Sequence, residues 1–181
     1  MKNNLVIVDI QPHDVGKFIN FNMESFGEYA NQYNKIYVLY NGDQFGWESE
    51  SDMYYYYQEI GIDCDKCRFF DKGYSFFRDI MDSQSIDNES IVQTIKIMKQ
   101  NNIRDIQDID EDTYMSTPLS EYIAFDDIEN HTFYYPDEVE DFLPNQSFDI
   151  CGGEWEECLR EVLVICDVAD KEYNIIKKFC Y

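Results

Sequence analysis

The stretch LVIVDIQ at residues 5–11 decides the fold. Its first four residues are apolar without a break, and Asp9 ends the run. A continuous apolar run of this length is typical of a strand that is buried on both faces, as in parallel sheets covered by helices. We therefore expect residues 5–9 to form a buried central strand with Asp9 at its carboxyl end.

Further strand-like runs alternate along the chain with stretches of helical periodicity. The other predicted strands are residues 35–40, 65–71, 147–151 and 173–180, with a less regular strand near 122–125. The predicted helices are residues 22–33, 48–60, 74–81, 88–100, 105–114 and 154–169, and one more that begins at Pro136. This alternation predicts βαβ units, and hence a three-layer α-β-α, Rossmann-type α/β fold with a mainly parallel sheet.

The length of 181 residues and the hydrophobic content of 44% fit a single α/β domain over residues 1–181. Residues 88–135 interrupt the regular alternation, so we interpret them as a helical insertion in the middle third of that domain. Ligands bind parallel sheets at the carboxyl ends of the strands. The predicted strand ends bring four features to that edge: Asp9, Asp43, Lys72 and the turn Gly152-Gly153.

The charge of the chain limits its partners. It has 37 acidic and 14 basic residues, which gives a formal net charge of −23. A surface this negative repels the phosphates of nucleic acids and of anionic membranes. We therefore expect no direct binding of nucleic acid or membrane, and either a small-molecule substrate or a basic protein partner. Oligomer formation is left open.

The cysteines and the amino-terminal residues bear on location and metals. No stretch has the pattern of a signal peptide or a membrane span, so a cytoplasmic protein with reduced thiols is expected. Cys64 and Cys67 have CxxC spacing, but there is no second pair and the chain has only two histidines. One pair alone is weak support for zinc, and the sequence predicts neither a metal nor a cofactor.

Three segments resemble those of the isochorismatase-like cysteine hydrolases, which include the nicotinamidases. Residues 6–11, VIVDIQ, are similar to the first strand of that family, where an aspartate and a glutamine end an apolar run. Residues 71–77, DKGYSFF, resemble the segment that carries the family lysine. Residues 151–159, CGGEWEECL, resemble the strand, glycine turn and helix start that carry the family cysteine, six residues after the glycine.

The resemblance implies an isochorismatase-like fold and the hydrolysis of a small amide or a related substrate. It makes Cys158 the nucleophile, Asp9 the general base and Lys72 the cation beside them. The chemistry suits these residue types. An ammonium and a helix N-terminus both stabilise a thiolate, and a carboxylate can accept the thiol proton and later activate water.

The resemblance also implies substrate contacts at the start of the last predicted helix. Backbone N–H groups near Glu157 and Cys158 are expected to form an oxyanion hole, with Gly153 and Trp155 beside the substrate. Two residues depart from the family pattern. Trp155 replaces a small polar residue and is expected to fill part of the substrate pocket, while the charge of Glu157 opposes thiolate formation. Residues 41–47 contain no histidine, so a nicotinamidase-type metal site is not predicted.

Two other functions remain open from the sequence. The first is a catalytically inactive protein of the same fold that acts as an acidic interaction or structural protein. The second is a metal-dependent nuclease in which Asp9 and Asp43 hold Mg²⁺ at the strand ends. The small number of basic residues leaves that nuclease without an obvious track for phosphates.

Overall fold

The computed structural model describes residues 2–42, 49–73, 75–83 and 85–181. The predicted edge residue Asp43 therefore lies outside the described residues. Within these ranges, five strands form one parallel sheet in the order β3-β2-β1-β4-β5. The strands are β1 (Lys2–Val8), β2 (Tyr33–Tyr40), β3 (Cys67–Asp71), β4 (Phe148–Gly152) and β5 (Tyr173–Cys180).

Helices connect the strands. They are α1 (Met23–Ala30), α2 (Glu50–Glu59), α3 (Arg78–Ser83), α4 (Asn88–Gln100), α5 (Glu111–Met115), α6 (Asp137–Phe142) and α7 (Cys158–Val168). Short polar side chains begin four of them by accepting a backbone N–H of the first turn: Asn22, Ser49, Asp87 and Asp110. In the described part of the chain, no helix combines the length and the apolar character that crossing a membrane requires.

β1 is the central strand, as its apolar run predicts. It pairs in parallel with β2 on one side and with β4 on the other, and residues 5–8 are fully buried. Val6 and Val8 pack into the apolar cluster of α4 and α7. Leu5 and Ile7 pack into the opposite cluster, with α1 and α2. Helices therefore cover both faces of the sheet, which confirms the three-layer α/β fold.

Residues 88–135, which the sequence sets apart as an insertion, share the core of the sheet. Ile95 of α4 and Tyr114 of α5 are fully buried in the cluster that covers one face of β1. Arg160 of α7 joins this segment, because its Nε donates a hydrogen bond to Asn88 Oδ1 at 2.8 Å. The segment thus packs against the helix that carries Cys158.

The prediction of a strand near residues 122–125 is wrong. The chain there forms two 3-10 helices, Pro118–Glu121 and Phe125–Asn130. The buried Tyr114 hydroxyl donates to the carbonyl of Ile123 at 2.8 Å. A side chain thus satisfies a backbone group that a neighbouring strand would otherwise have to satisfy.

The helix predicted over residues 105–114 is divided into a 3-10 turn, Ile106–Asp108, and α5. The Asp105 side chain accepts the N–H of Gln107, and the Asp110 side chain accepts that of Thr113. Each aspartate starts a new turn, because its side chain takes the N–H that a continuous helix would bond to the preceding turn.

The last helix begins later than the sequence predicts, at Cys158 instead of residue 154. The Gly153 N–H donates to the Val8 carbonyl at 3.0 Å, and the Trp155 N–H donates to Tyr181 O at 2.6 Å. These bonds hold the chain along the sheet edge, so the helix starts only after it. Trp155, which lies on the turn before the helix, is 37% exposed.

Substitution of Gly152 tests whether β4 lies so close to β1 that no side chain fits between them. Its φ is +115°, and an added Cβ would overlap the carbonyl oxygen of Val8, its register partner in β1. We expect Gly152→Ala to lower the free energy of unfolding by at least about 3 kcal/mol, from overpacking added to backbone strain. Urea denaturation measures this loss.

Gly61→Ala is the matched control. Gly61 also has a positive φ, +81°, but an added Cβ would have no heavy atom within 4 Å. Its substitution should cost only about 1 kcal/mol, the price of the backbone conformation alone. Equal losses for the two variants would contradict the close approach of β4 to β1.

Candidate active site

Three predicted side chains meet where the parallel strands end. Asp9 follows β1, Lys72 follows β3, and Cys158 begins α7 after the glycine turn of β4. Lys72 Nζ lies 3.1 Å from Asp9 Oδ2, and the two side chains are 1% and 5% exposed. Both groups act on the pKa of the buried Cys158 thiol. The structure therefore brings the predicted acid, ammonium and thiol together.

Asn41, directly after β2, connects Lys72 to the thiol. Lys72 Nζ donates to Asn41 Oδ1 at 2.6 Å, and Asn41 Nδ2 lies 4.0 Å from Cys158 Sγ. Gln11 fixes the Asn41 backbone through two hydrogen bonds, of 2.7 and 3.0 Å. Asn41 is not among the site residues predicted from the sequence. The sequence feature that could have indicated Asn41 is its position directly after a predicted buried strand, at the sheet edge where Asp9 also lies.

Arg78 is a second buried cation that the sequence analysis missed. It begins α3, and its Nη1 lies 3.6 Å from Cys158 Sγ and 2.8 Å from Glu157 Oε2. Its side chain is 7% exposed. The chain has 14 basic residues, and its sequence does not show which of them is buried beside the thiol. The site thus holds two cations beside the thiol.

A cavity of about 350 Å³ opens over these groups. Its walls include Asp9, Arg78, Cys158, His13, Lys17 and Phe18. Ligand sites for small molecules typically begin at about 300 Å³, so the space suits a small substrate.

A larger cavity, of about 520 Å³, lies at the opposite, amino edge of the sheet. Its polar side chains are bonded to one another: Lys2 Nζ donates to Asp149 Oδ2 at 2.9 Å and to the Tyr33 hydroxyl at 3.0 Å. The Tyr33 hydroxyl also donates to Asp149. Because these groups satisfy each other, we place the candidate active site in the smaller cavity over Cys158.

The Asp9 carboxylate is buried and incompletely bonded. Among the described residues, neither of its oxygens has a hydrogen-bond partner of good geometry, although the Lys72 ammonium lies 3.1 Å away. The residue has a φ of +50°, and the Tyr181 hydroxyl donates to its carbonyl oxygen at 2.5 Å. A non-glycine residue at positive φ with a buried carboxylate is costly, and such costs are typically concentrated at functional sites.

Burial raises the pKa of Asp9, while the Lys72 ammonium opposes the shift. Burial and then the Asp9 charge raise the pKa of the Cys158 thiol to about 12, against the opposing effects of Lys72 and Arg78. Burial alone would lower the pKa of Lys72, but Asp9, Cys158 and Glu161 raise it overall. Burial and the Asp9 carboxylate therefore outweigh the stabilisation of a thiolate by the two cations.

The predicted oxyanion and substrate residues have other contacts. The Glu157 N–H donates to the Glu154 carbonyl at 3.0 Å, and the Gly153 N–H is bonded to Val8, so neither N–H is free to bind an oxyanion. The Glu157 carboxylate pairs with Arg78. The guanidinium of Arg78, whose Nη1 lies 3.6 Å from Cys158 Sγ, carries several N–H donors and is a candidate for that role.

Trp155 does not fill the cavity over Cys158. It lines a neighbouring cavity of about 420 Å³, together with Phe18, Glu156 and Tyr181. The helix start explains the difference. Because α7 begins only at Cys158, Trp155 lies on the preceding turn and does not line the thiol cavity.

No group of three or more histidine, cysteine, aspartate or glutamate side chains is arranged for a metal ion in the described ranges. Asp43, the second ligand of the predicted nuclease site, lies outside those ranges. Comparisons with protein families, with curated proteins and with solved structures find no match for this chain. Its function therefore has to be inferred from the geometry of the site itself.

Proposed function

We propose that this protein is a cysteine hydrolase of small amide-type substrates, of the isochorismatase-like kind. Cys158 is the nucleophile, Asp9 accepts and returns its proton, and Lys72 holds Asp9 in place. The observation that carries this proposal is the buried Asp9 carboxylate, paired with Lys72, beside the Cys158 thiol in the wall of one cavity. A nucleophile next to a buried base, which a third group orients, is the general arrangement of covalent catalysis.

The first half of the reaction forms a thioester. As Cys158 Sγ attacks the amide carbonyl carbon, its proton moves to the Asp9 carboxylate. Negative charge then develops on the carbonyl oxygen, where N–H groups of Arg78 stabilise it. Protonated Asp9 returns the proton to the amide nitrogen, so that ammonia or an amine leaves and the acyl group remains on sulfur.

The second half of the reaction uses the same carboxylate. Asp9 takes a proton from water, whose oxygen attacks the thioester carbonyl carbon. The bond from carbon to sulfur breaks, and the proton on Asp9 returns to Sγ, which releases a carboxylic acid and restores the thiol. The raised pKa of Asp9 suits these transfers, because a group that gives and takes protons works best with a pKa nearer the working pH.

The arrangement around Asp9 does not favour the metal-dependent nuclease. A cation is already in place, because the Lys72 ammonium lies 3.1 Å from Oδ2 and within 2.6 Å of Asn41 Oδ1. An added Mg²⁺ would be repelled by this buried ammonium, and by Arg78 nearby.

A non-catalytic binding protein on the same fold is the second candidate. Two observations favour it: the net charge of −23, which suits a basic partner, and the ion pair of Glu157 with Arg78 at the cavity wall. It requires neither a reactive Cys158 nor hydrolysis, so the experiments below separate it from the first candidate.

Ammonia release from a panel of small primary amides tests the hydrolase directly. We expect turnover by the unaltered protein, and Cys158→Ala to lower kcat/KM by at least about 10³-fold because the nucleophile is lost. Cys67→Ser, which alters a half-buried thiol at the start of β3, is the control and should keep full activity. If the folded protein hydrolysed no amide of the panel, the non-catalytic candidate would be supported instead.

Asp9→Asn should change alkylation and hydrolysis in opposite directions. Because the Asp9 charge raises the thiol pKa, its removal should speed alkylation of Cys158 by iodoacetamide at pH 8 by roughly tenfold for each unit of pKa lost. Hydrolysis should fall, because the proton acceptor is gone. Peptide mass spectrometry follows the labelling of Cys158.

Asp14→Asn is the matched control, since Asp14 lines the same cavity and pairs with His13. It removes the same charge from the cavity but leaves the acceptor beside the thiol, so both rates should stay close to those of the unaltered protein. Slower alkylation in Asp9→Asn would show that Asp9 is not the charge that keeps the thiol protonated.

A further inference from the structure

Glu161 lies on α7, three residues after Cys158, and is 1% exposed. Its Oε1 accepts three consecutive backbone N–H groups, those of Phe76, Phe77 and Arg78, at 2.9, 2.8 and 2.7 Å. One buried carboxylate oxygen thus fastens the start of α3 to the helix that carries the thiol.

These bonds also hold in place the chain segment that connects Lys72 to Arg78. Ser75 Oγ lies 3.3 Å from the same oxygen, so the carboxylate binds most of the short connection that follows Lys72. Arg78, at the end of that connection, reaches Cys158 Sγ at 3.6 Å. The position of Arg78 relative to the thiol therefore depends on Glu161.

The hydrogen bonds alone do not require a charge. A neutral side-chain oxygen would accept the same N–H groups, and a buried carboxylate has a large desolvation cost. The second oxygen, Oε2, has no hydrogen-bond partner among the residues that the structure describes. Burial raises the pKa of Glu161, and the bonded N–H groups and the Lys72 ammonium oppose that shift.

The charge has a counterpart in the site. Around Cys158, the buried carboxylates of Asp9 and Glu161 lie with two buried cations, Lys72 and Arg78, and Glu157 pairs with Arg78 at 2.8 Å. The total charge of this group does not change when the proton moves from sulfur to Asp9. Without the charge of Glu161 the group would be more positive, which favours a thiolate formed by loss of the proton to solvent.

We propose that Glu161 is a positioning residue of the site, which holds residues 75–78 against α7 and balances Lys72 and Arg78, so that the Cys158 proton passes to Asp9 instead of solvent. This inference rests on the proposed function of Cys158 as the nucleophile.

Other titratable groups also face the two residues. Cys158 faces Asp9, Lys72 and Arg78, which pairs with Glu157, and it interacts electrostatically with Tyr181. His13, Asp14, Lys17 and Glu154 line the same cavity. Glu161 faces Lys72 and interacts with Tyr134. Both tyrosines have raised pKa values, chiefly through burial, so they stay neutral across the pH range in which the thiol is labelled.

The test compares the pH dependence of Cys158 alkylation in the unaltered full chain and in Glu161→Gln. The glutamine keeps an acceptor oxygen for the N–H groups but removes the charge. We expect the alkylation profile to move to lower pH by about one unit, so that labelling at pH 8 is roughly tenfold faster, while kcat for amide hydrolysis falls. Labelling of the fully buried Cys166 reports unfolding and should stay slow.

Two further variants separate the charge from the packing. Glu156→Gln removes an exposed charge from the turn before α7 and should leave the profile unchanged. Glu161→Asp keeps the charge on a shorter side chain, so it should retain the pH profile of the unaltered protein even if its thermal midpoint falls. This variant also decides the matter if Glu161→Gln does not fold, because a shifted profile in Glu161→Asp would then overturn the proposal.

Equal profiles for Glu161→Gln and the unaltered protein would overturn the inference, and so would equal shifts in Glu161→Gln and Glu161→Asp. Neither result would touch the proposed function, which depends on hydrolysis and on its loss in Cys158→Ala. Conversely, an absence of amide hydrolysis would reject the proposed function, while a profile shift in Glu161→Gln alone would still show that the charge controls the thiol proton.

Discussion

A buried ion pair between Asp9 and Lys72 is the constraint on which the rest of the site depends. The two residues follow β1 and β3, which lie on either side of β2, and Asn41 at the end of β2 bonds the ammonium between them. Breaking such a pair by removing one partner typically costs 3–5 kcal/mol, because a buried charge is left without compensation. The register of three parallel strands and the geometry of the site are therefore linked.

The same pair sets the state of the thiol. Because burial and the Asp9 carboxylate both raise the pKa of Cys158, the sulfur keeps its proton at neutral pH even though two cations are close. Reactivity then depends on moving that proton over a short distance to Asp9, not on a standing population of thiolate. The buried carboxylate of Glu161 also acts on the Lys72 ammonium. An exposed thiolate is thereby avoided, and oxidants and alkylating agents meet a protonated, buried sulfur.

The sequence predicted the sheet and the meeting of three side chains for a simple reason. An apolar run that ends in Asp9 marks a buried strand, and in a parallel sheet all strand ends lie at one edge, so Lys72 and the start of the last helix lie there too.

The predictions were wrong where tertiary contacts override the local sequence pattern. Near residue 122 no strand forms, because the Tyr114 hydroxyl bonds the Ile123 carbonyl. The last helix begins only at Cys158, because two backbone hydrogen bonds hold the preceding residues along the sheet edge. Arg78 and Glu161 were not predicted as site residues, because a single sequence does not show which charged residues are buried or which distant residues they pair with.

The carbon-13 NMR titration of the Asp9 carboxyl carbon tests the central claim most directly. If Asp9 is the buried acceptor of the Cys158 proton, its pKa lies above the usual range of aspartate, and Cys158→Ala raises it further, because the thiol stabilises the charged carboxylate. An ordinary aspartate pKa that does not change when Cys158 is replaced would contradict the account, because the acid and the thiol would then not share one proton.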